Sequence, residues 1–397
     1  MADKQPTIAL IWAQFSAYHV DRLQAVGQRL AGRARVYSVE VSSKSAVYAW
    51  APSNEVKGTE KIRLFADARY EDIHFLKRWA AMFRATRKCD TVYIGIGYNE
   101  PDALLLGLTL RLAGVRVIMM TASKWDDRPR RSTFELIKML LLSPFSAALV
   151  GGARQMSYVR FLGFRRRQVL PGYNTVDIER IRLQAHSIVG ERKPAFHERA
   201  FIYVGRFVTK KLLHHTLNAY AAYVRQAGPA SHRLEMIGSG ELEGELRAQC
   251  DQLGISHLVD WPGFLDAPDV AARLAHGLAL VLVSREEQWG LVINEALAVG
   301  LPVIASAQVG AREALVRNLE NGFVVEPGSE DGLTRAMLTV AESEAGWEKL
   351  SQAAQDRAWL GDTQRFADAV ELYTFPDSTA VAERHARFEA AISPLRG

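Results

Sequence analysis

Residues 284–306 read SREEQWGLVINEALAVGLPVIAS, and they follow a continuous apolar run at 278–283. Such a run predicts a strand that is buried on both faces. Apolar residues then return at helical spacing from Leu291, until Gly300 and Pro302 end the predicted helix and a second strand begins. The order strand, loop, helix, strand is one βαβ unit and predicts a parallel sheet.

Two carboxylates lie on either side of the turn in this unit. Glu287 is in the predicted loop and Glu295 is inside the predicted helix. The N–H groups of Gly290, Leu291 and Val292 would open the helix, and such an end attracts anions through its unpaired donors and the helix dipole. This pattern suits a nucleotide-sugar, which has phosphate in its middle and hydroxyl groups at both ends. The alternative is that Glu287 is a solvated loop residue and Glu295 a helix-surface residue.

Residues 287–295 resemble the E-x7-E signature of the retaining GT-B glycosyltransferases of family 4. In that family the loop E-G-F-G-L-V leads into a helix with the second Glu, and this chain has Gln288 for Gly and Trp289 for Phe. The segments GLPVIAS at 300–306 and NGFVVEPG at 321–328 follow the family in the same order. The resemblance implies two Rossmann-like, doubly wound α/β domains that face each other across a cleft.

The same resemblance implies a reaction. A glycosyl group would move from a nucleotide-diphosphate sugar to an acceptor hydroxyl with retention of configuration, and neither a metal nor another cofactor would be needed. The leaving diphosphate would take the acceptor proton. Glu287, a catalytic residue, would orient the donor sugar, and Glu295 would accept hydrogen bonds from ribose hydroxyls. The acceptor would be a saccharide or lipid-linked saccharide in polysaccharide or glycolipid assembly.

A second motif follows a predicted strand at 201–204. Gly205 and Arg206 come directly after this strand, and Lys211 and Leu212 lie shortly beyond. An Arg can bind phosphate in a bidentate manner, while a Lys supplies a point charge. In the family, a Gly-Arg pair and a nearby Lys lie against the donor diphosphate, which implies catalytic roles for Arg206 and Lys211. Leu212 stands where the family usually has glycine.

Two further segments match the donor side of the family. Gly238 and Gly240 form a G-x-G turn after the predicted strand at 234–237, and such a turn lets a ligand approach the backbone closely. The resemblance places the WPGF segment at 261–264 after the next strand and near the base. Phe264 is therefore a predicted donor contact, with a core or turn role as the equal alternative.

The first half of the chain alternates predicted strands with predicted helices, which indicates a doubly wound parallel sheet. The strands are predicted at 7–12, 36–41, 92–96, 115–120 and 147–150, and the helices near 74–88, 101–112, 133–142 and 155–162. The predicted domains are an acceptor domain at 1–185 and a donor domain at 186–377, with a polar linker over 174–199. Residues 378–397 are expected to return to the first domain.

Four residues of the first half are candidate acceptor contacts. Asp126, Asp127 and Arg128 belong to the stretch SKWDDRPRR, which resembles a subset of bacterial polysaccharide glycosyltransferases. An Asp pair among cations can bind sugar hydroxyls, or it can form a solvated loop with local ion pairs. His19, at the start of the first predicted helix, could contact an acceptor sugar or could be structural.

The composition is that of an ordinary globular protein, with 48% hydrophobic and 23% charged residues. A chain of 397 residues favours two domains. Its two cysteines are far apart and indicate neither a disulfide framework nor a metal cluster. No signal peptide or membrane-spanning run is evident, so a cytoplasmic protein is expected.

Charge is uneven along the chain. Residues 1–185 hold 29 Lys and Arg against 16 Asp and Glu, and the remainder holds 20 against 28. The excess of positive charge in the first half suggests an alternative class of function, a basic module that binds a membrane or a nucleic acid. No nucleic-acid-binding motif is evident, however, and a nucleic-acid partner is not expected. A nucleotide-sugar epimerase or a phosphorylase-like enzyme is a further alternative that keeps the fold.

The basic segment at 77–88 predicts a peripheral contact with the inner face of an anionic membrane. Lys77, Arg78 and Arg84 lie partly opposite Trp79, and a basic amphipathic helix of this kind can lie on a bilayer surface. The cluster at 165–167 adds three arginines. The alternative is a solvated helix whose aromatic residues face the core.

Overall fold

The computed structural model describes residues 5–44, 55–127, 129–164, 168–190 and 194–393. Contacts divide these residues into two units. The first contains the chain up to Asp177 together with Thr363–Ser393, and the second contains Ile178–Asp362. The chain therefore passes from the first unit to the second between residues 177 and 178, and it returns between residues 362 and 363. The sequence predicted these two crossings at 185/186 and 377/378.

Each unit has one sheet of parallel strands, and the strands alternate with helices along the chain. The first sheet has seven described strands in the order β3-β2-β1-β4-β5-β6-β7, and the second has six in the order β10-β9-β8-β11-β12-β13. The strands of the first sheet are β1 (Thr7–Trp12), β2 (Arg35–Lys44), β3 (Glu60–Arg69), β4 (Thr91–Ile94), β5 (Arg116–Thr121), β6 (Ala147–Val150) and β7 (Gln168–Pro171). Those of the second are β8 (Ala200–Val204), β9 (Leu234–Ile237), β10 (Val259–Gly263), β11 (Gly277–Leu282), β12 (Val303–Ser306) and β13 (Gly322–Val325).

The helices of the described residues follow the same alternation. They are α1 (Ala17–Arg29), α2 (Phe75–Thr86), α3 (Pro101–Leu112), α4 (Ser132–Leu141), α5 (Ala153–Val159), α6 (Ile178–Val189), α7 (Leu213–Ala227), α8 (Glu243–Leu253), α9 (Ala267–Ala275), α10 (Val292–Ala298), α11 (Arg312–Leu315), α12 (Glu330–Ala341), α13 (Glu344–Arg357), α14 (Thr363–Thr374) and α15 (Thr379–Ile392). Two parallel-sheet, Rossmann-like α/β domains were expected, and this prediction is confirmed.

The first sheet is covered on both faces. Ala9 and Ile11 of β1 belong to a core that includes residues of α2, α3 and α5. Ile8 and Leu10 belong to the opposite core, which includes residues of α1 and α14. Because successive side chains of a strand point to opposite faces, a strand buried on both sides is apolar throughout, as the sequence of β1 is.

The second sheet contains one reversal of its strand order. Its strand order reverses between β8 and β11, where the chain leaves one half of the sheet and starts the other. In open α/β sheets, ligands bind outside the carboxyl ends of the strands at such a reversal. The segments after Val204 and Leu282 leave these two strand ends, so a ligand of the second unit is expected to contact them.

The chain passes between the units inside the predicted linker at 174–199, but most of that range is not a polar connector. Residues 178–189 form α6, which packs on α9 and α10. Ile178, Ile181 and Ala185 are buried, and their spacing of three and four residues is that of one helix face. A helix with such a face belongs to the core of the second unit rather than to a connector.

The return to the first unit begins at α14, before the predicted position. Phe366, Val370 and Tyr373 are buried in the same core as α1. The Tyr373 hydroxyl donates a 2.7 Å hydrogen bond to the Ala148 carbonyl of β6, and the Arg29 guanidinium donates to the Asp368 carboxylate at 2.5 Å. The apolar face of α14 thus completes the first unit.

A buried histidine on α15 makes stability depend on pH. His385 is 3% exposed, and burial, with Asp368 opposing and Arg365 assisting, lowers its pKa to about 4. In the unfolded chain a histidine binds this proton near pH 6.5. The contribution of the neutral His385 to the free energy of unfolding is therefore complete above pH 6.5 and is lost as the pH falls towards 4. We expect urea unfolding to show a loss of about 2 kcal/mol from pH 7.5 to 5 that His385→Leu lacks. Equal pH slopes for the two proteins would contradict this prediction.

Candidate functional site in the second unit

An ion pair joins the two strand ends at the reversal of the second sheet. Lys211 follows β8 and Glu287 follows β11, and the lysine Nζ is bonded to a Glu287 carboxylate oxygen. Both side chains are partly buried. The Arg285 amide also donates to the Lys210 carbonyl at 2.8 Å, so backbone and side-chain bonds hold the two loops together. The structure thus brings together two of the three predicted catalytic residues.

The third, Arg206, is exposed at the carboxyl end of β8. Its carbonyl accepts a 3.0 Å hydrogen bond from the hydroxyl of Tyr203, which fixes the backbone while the guanidinium faces solvent. The Arg206 side chain is therefore free of the Lys211–Glu287 pair and available to an anion from outside.

Tyr203 is a residue that the sequence analysis missed. Burial and then the charge of Glu287 raise the pKa of its phenol, and the hydroxyl donates to the Arg206 carbonyl. A Cβ atom on Gly205 would lie 2.9 Å from the Tyr203 hydroxyl oxygen, so the glycine leaves room for it. A tyrosine inside an apolar strand resembles any core residue, and only the following Gly205 hinted at a close contact.

The G-x-G turn after β9 approaches protein backbone. A Cβ atom on Gly238 would lie 2.0 Å from the Gly205 carbonyl oxygen, and one on Gly240 would lie 2.4 Å from the Phe207 carbonyl oxygen. The Phe207 amide donates to the Ser239 carbonyl at 2.9 Å. These glycines therefore allow two neighbouring loops to meet at the strand ends, which is a structural reason for the G-x-G motif. The ligand contact predicted at Gly238 stays a prediction.

The loop that carries Glu287 is held by a segment that the sequence did not single out. The Gly310 amide donates to the Glu287 carbonyl at 3.1 Å, and the Ala311 amide donates to the Trp289 carbonyl at 2.9 Å. The Trp289 indole donates to the Asn294 side chain at 3.0 Å. Trp289, which replaces the family's Phe, thus adds a bond between the loop and α10 that a phenylalanine cannot make.

The start of α10 has the features that the sequence predicted for anion binding. Gly290 has a φ of +92°, a value that glycine adopts without strain. The N–H groups of Gly290, Leu291 and Val292 have no backbone acceptor among the described residues. Glu295 lies in the first turn and is 7% exposed, so it is not the helix-surface residue of the alternative interpretation.

Phe264 follows β10 and is 78% exposed, which excludes the core role considered from sequence. The segment 261–263 belongs to β10 itself and does not follow it. β10 is an edge strand, where a proline is tolerated because its missing N–H faces no neighbour. The exposed ring of Phe264 is compatible with the predicted contact to a nucleotide base, which stays a prediction.

Leu212 adopts a left-handed conformation, with φ of 53° and ψ of 38°. It connects the short 3-10 turn Thr209–Lys211 to α7, and its side chain is buried. A left-handed conformation costs a non-glycine residue roughly 1–2 kcal/mol. The family's usual glycine at this position is thus explained by the backbone, and the leucine compensates by burial.

A pair of variants at Leu212 tests this conformation. Leu212→Ala and Leu212→Gly should both be less stable than the parent by about 2–5 kcal/mol, because both remove a buried side chain. The glycine variant should be the more stable of the two by about 1 kcal/mol, since glycine has no penalty in this region. Denaturant unfolding measures the order, and an alanine variant that equals or exceeds the glycine variant would refute the backbone assignment.

The acceptor candidates of the first unit form ion pairs. The Lys124 side chain is fully buried, and its Nζ lies 2.9 Å from Asp127 and 3.3 Å from Asp126. Asp126 is also paired with Arg154. The local ion pairs considered from sequence are therefore present, but the cluster is largely buried rather than solvated. Arg128 lies outside the described residues.

His19 has a structural role at the start of α1. Its Nδ1 accepts a 3.0 Å hydrogen bond from the Ser16 amide, and its ring lies 4.9 Å from that of Trp12. Burial, followed by the charge of Arg22, holds the pKa of His19 well below its usual value. A neutral imidazole that caps the helix accounts for this residue, and an acceptor contact stays a prediction.

The aromatic residues of α2 face the core rather than a bilayer. Arg78 is buried and donates to Asp102 at 2.7 Å, and the Trp79 indole donates to Thr109 at 3.1 Å. The membrane prediction for 77–88 therefore lacks the apolar face it requires, and the cluster at 165–167 lies outside the described residues. In the described part of the chain, no helix has the length and apolar character of a membrane span.

Residues 191–357 match the sequence model of the family described as glycosyl transferases group 1. They lie within the second unit. The chain is 30% identical over 166 residues to glycogen synthase of Mycobacterium tuberculosis, which covers 42% of this chain and 39% of that protein. It is 26% identical over 235 residues to the lipopolysaccharide 1,6-galactosyltransferase of Salmonella typhimurium, which covers 58% and 60%. The chain thus matches about two fifths of the length of the glycogen synthase and about three fifths of the length of the galactosyltransferase.

Solved structures match both units. Sucrose-phosphate synthase from Thermosynechococcus elongatus is 18% identical with a TM-score of 0.69, over 93% of this chain and 98% of that one. Anabaena HepE in complex with UDP gives the same identity and TM-score over 93% and 99%. These likenesses assign the chain to the GT-B class of folds. The second unit carries, in addition, the sequence features of group 1 glycosyl transferases.

Proposed function

We propose that the protein is a retaining glycosyltransferase that moves a sugar from a nucleotide-diphosphate sugar to an acceptor hydroxyl. The observation that carries the proposal is the Lys211–Glu287 pair at the strand reversal of the second sheet. It supplies a cation for a diphosphate and a carboxylate for sugar hydroxyls at the position where this fold class binds ligands. The group 1 family match over the same unit supports it.

Departure of the nucleoside diphosphate builds negative charge on the leaving oxygen. Lys211, Arg206 and the amides at 290–292 would stabilise that charge. Hydrogen bonds already hold the two loops that carry Lys211 and the amides, whereas the exposed Arg206 side chain would approach the diphosphate from solvent. Glu287 would orient the donor sugar, and Glu295 would accept hydrogen bonds from ribose hydroxyls. The acceptor proton would pass to the leaving diphosphate on the face of attack, which gives retention and requires no metal.

The donor and acceptor classes follow from relatives. HepE has been solved with UDP-glucose, and the relatives include a poly(glycerol-phosphate) alpha-glucosyltransferase of Bacillus subtilis. We extend these to a nucleotide-sugar donor, and to an acceptor saccharide or lipid-linked saccharide of polysaccharide or glycolipid assembly. The cytoplasm, where nucleotide-sugars are made, is the proposed location.

A panel of nucleotide-sugars in thermal unfolding tests this function. A donor at about 100 times its Kd stabilises the folded protein by about 2.7 kcal/mol, which is roughly 5–10 °C in Tm for a unit of this size. The stabilising nucleotide-sugar should then be consumed only when an acceptor saccharide is added. Consumption without an acceptor would favour an epimerase, and a panel without any shift would contradict the proposal.

A further inference from the structure

Helix α4 turns its apolar side chains away from the protein. Five of its ten residues are large, apolar and 48–75% exposed, namely Phe134, Leu136, Ile137, Leu140 and Leu141. At 100° per residue these five cover about half of the helix circumference. Two charged residues lie between them in sequence: Glu135 is only 3% exposed, and Lys138 is paired with it. The helix is therefore amphipathic in the opposite sense to a surface helix of a globular protein.

A polar cluster fixes this orientation. The Glu135 carboxylate accepts hydrogen bonds from the Lys138 amine at 2.7 Å and from the Tyr158 hydroxyl at 2.8 Å. The Arg130 guanidinium lies over the Tyr158 ring at 4.4 Å. Rotating α4 to bury its leucines would expose the apolar core contact of Met139 and break these bonds. The outward apolar face is thus built into the packing of the unit.

Two aromatic residues extend the face beyond the helix. The rings of Trp125 and Phe161 contact each other edge to face at 4.9 Å, and they are 50% and 42% exposed. Phe161 belongs to the turn Arg160–Phe164, which packs on α4. The five α4 residues with Trp125 and Phe161 are called the α4 surface below. A contiguous apolar patch of this kind marks an interaction site.

The charges around the α4 surface favour an anionic occupant. Within the described residues of 123–164 there are six Lys or Arg and three Asp or Glu. All three carboxylates are in ion pairs, while Arg131, directly before α4, and Arg160, next to Phe161, are exposed. A second copy of the chain would bring the same cations face to face. An anionic bilayer offers both an apolar interior and negative head groups.

We propose that the α4 surface docks on an anionic membrane, with the apolar side chains in the interface and Arg131 and Arg160 at the head groups. This is a different element from the basic helix that the sequence suggested. The proposal does not rest on the proposed function, because a chain without transferase activity would still bind vesicles. Docking would bring Asp126 and Asp127, which precede α4, to the bilayer surface.

Vesicle sedimentation tests the proposal with the full chain. The parent should bind vesicles of equal phosphatidylglycerol and phosphatidylcholine, should ignore vesicles of phosphatidylcholine alone, and should be released by salt. Leu136→Ser, Ile137→Ser and Leu140→Ser together should weaken binding by at least about tenfold, since apolar insertion supplies much of the affinity. Arg131→Glu with Arg160→Glu should remove the preference for anionic lipid. The matched control is Leu183→Ser with Ile188→Ser on α6, also exposed apolar residues, and it should bind like the parent.

Tryptophan fluorescence gives an independent readout. Vesicles with brominated acyl chains should quench part of the emission, and Trp125→Phe should lose that part. A parent that ignores anionic vesicles at low salt overturns the proposal, as does a triple serine variant that binds like the parent. A parent dimer that becomes monomeric in the triple variant also overturns it, because a second copy would then cover the α4 surface.

Discussion

Lys211→Ala is expected to lower kcat/KM for the nucleotide-sugar by about 100-fold or more. That is the effect of removing one preorganised donor to a developing oxyanion. Arg206→Ala should have an effect of the same order, because the exposed guanidinium is available to the diphosphate. Initial rates with the donor identified in the thermal panel provide the measurement.

Lys210→Ala is the matched control for Lys211→Ala. Lys210 is exposed and contributes to the loop through its carbonyl, which accepts from the Arg285 amide at 2.8 Å. Its side chain can be removed without touching that bond, so a change within a few-fold is expected. If Lys211→Ala and Arg206→Ala both stay within a few-fold of the parent, neither residue has the catalytic role proposed here.

Glu287 and Glu295 should separate turnover from binding. Glu295→Ala should weaken the binding of both the nucleoside diphosphate and the nucleotide-sugar by roughly 10-fold or more. That is the loss of affinity expected when hydrogen bonds to a charged group are removed. Glu287→Ala should lower kcat with a much smaller effect on the Kd of the nucleoside diphosphate, because its proposed partner is the sugar. Calorimetric titration and initial rates measure the two effects.

The conservative variant Glu295→Gln distinguishes binding from folding. It keeps an acceptor oxygen and the side-chain volume at this nearly buried position, so it should retain more affinity than Glu295→Ala. Equal and small effects of Glu287→Ala and Glu295→Ala on both turnover and affinity would remove the assignment of separate roles.

The sequence predicted the elements whose signals are local. The apolar run of β1 and the strand, loop, helix and strand around Glu287 are all present in the structure. In contrast, β3 at 60–69 and β7 at 168–171 were not predicted. β3 is an edge strand in which Lys61 and Arg63 alternate with apolar residues, and these cations pair with the buried Glu40 of β2 at 3.1 and 2.9 Å. Only the neighbouring strand explains them.

The candidate site shows the same division. The motif residues Lys211 and Glu287 could be chosen from sequence, because their segments resemble those of a known family of glycosyltransferases. Their direct pairing could not, since it depends on the order of strands across the sheet. The glycines at 238 and 240 show the converse, because they also make room for the backbone of a neighbouring loop, a role that the sequence did not indicate. The outward face of α4 was hidden for a similar reason: Glu135 reads as a surface residue until Tyr158 and Lys138 are seen around it.

Titration calorimetry shows directly whether the Lys211–Glu287 site binds a nucleoside diphosphate. UDP, GDP, ADP, CDP and dTDP are titrated into the parent, Lys211→Ala and Lys210→Ala. At least one diphosphate should bind the parent and Lys210→Ala with similar Kd, and should bind Lys211→Ala at least about tenfold more weakly. Equal affinity for the parent and Lys211→Ala, or no binding of any of the five to the parent, would contradict it.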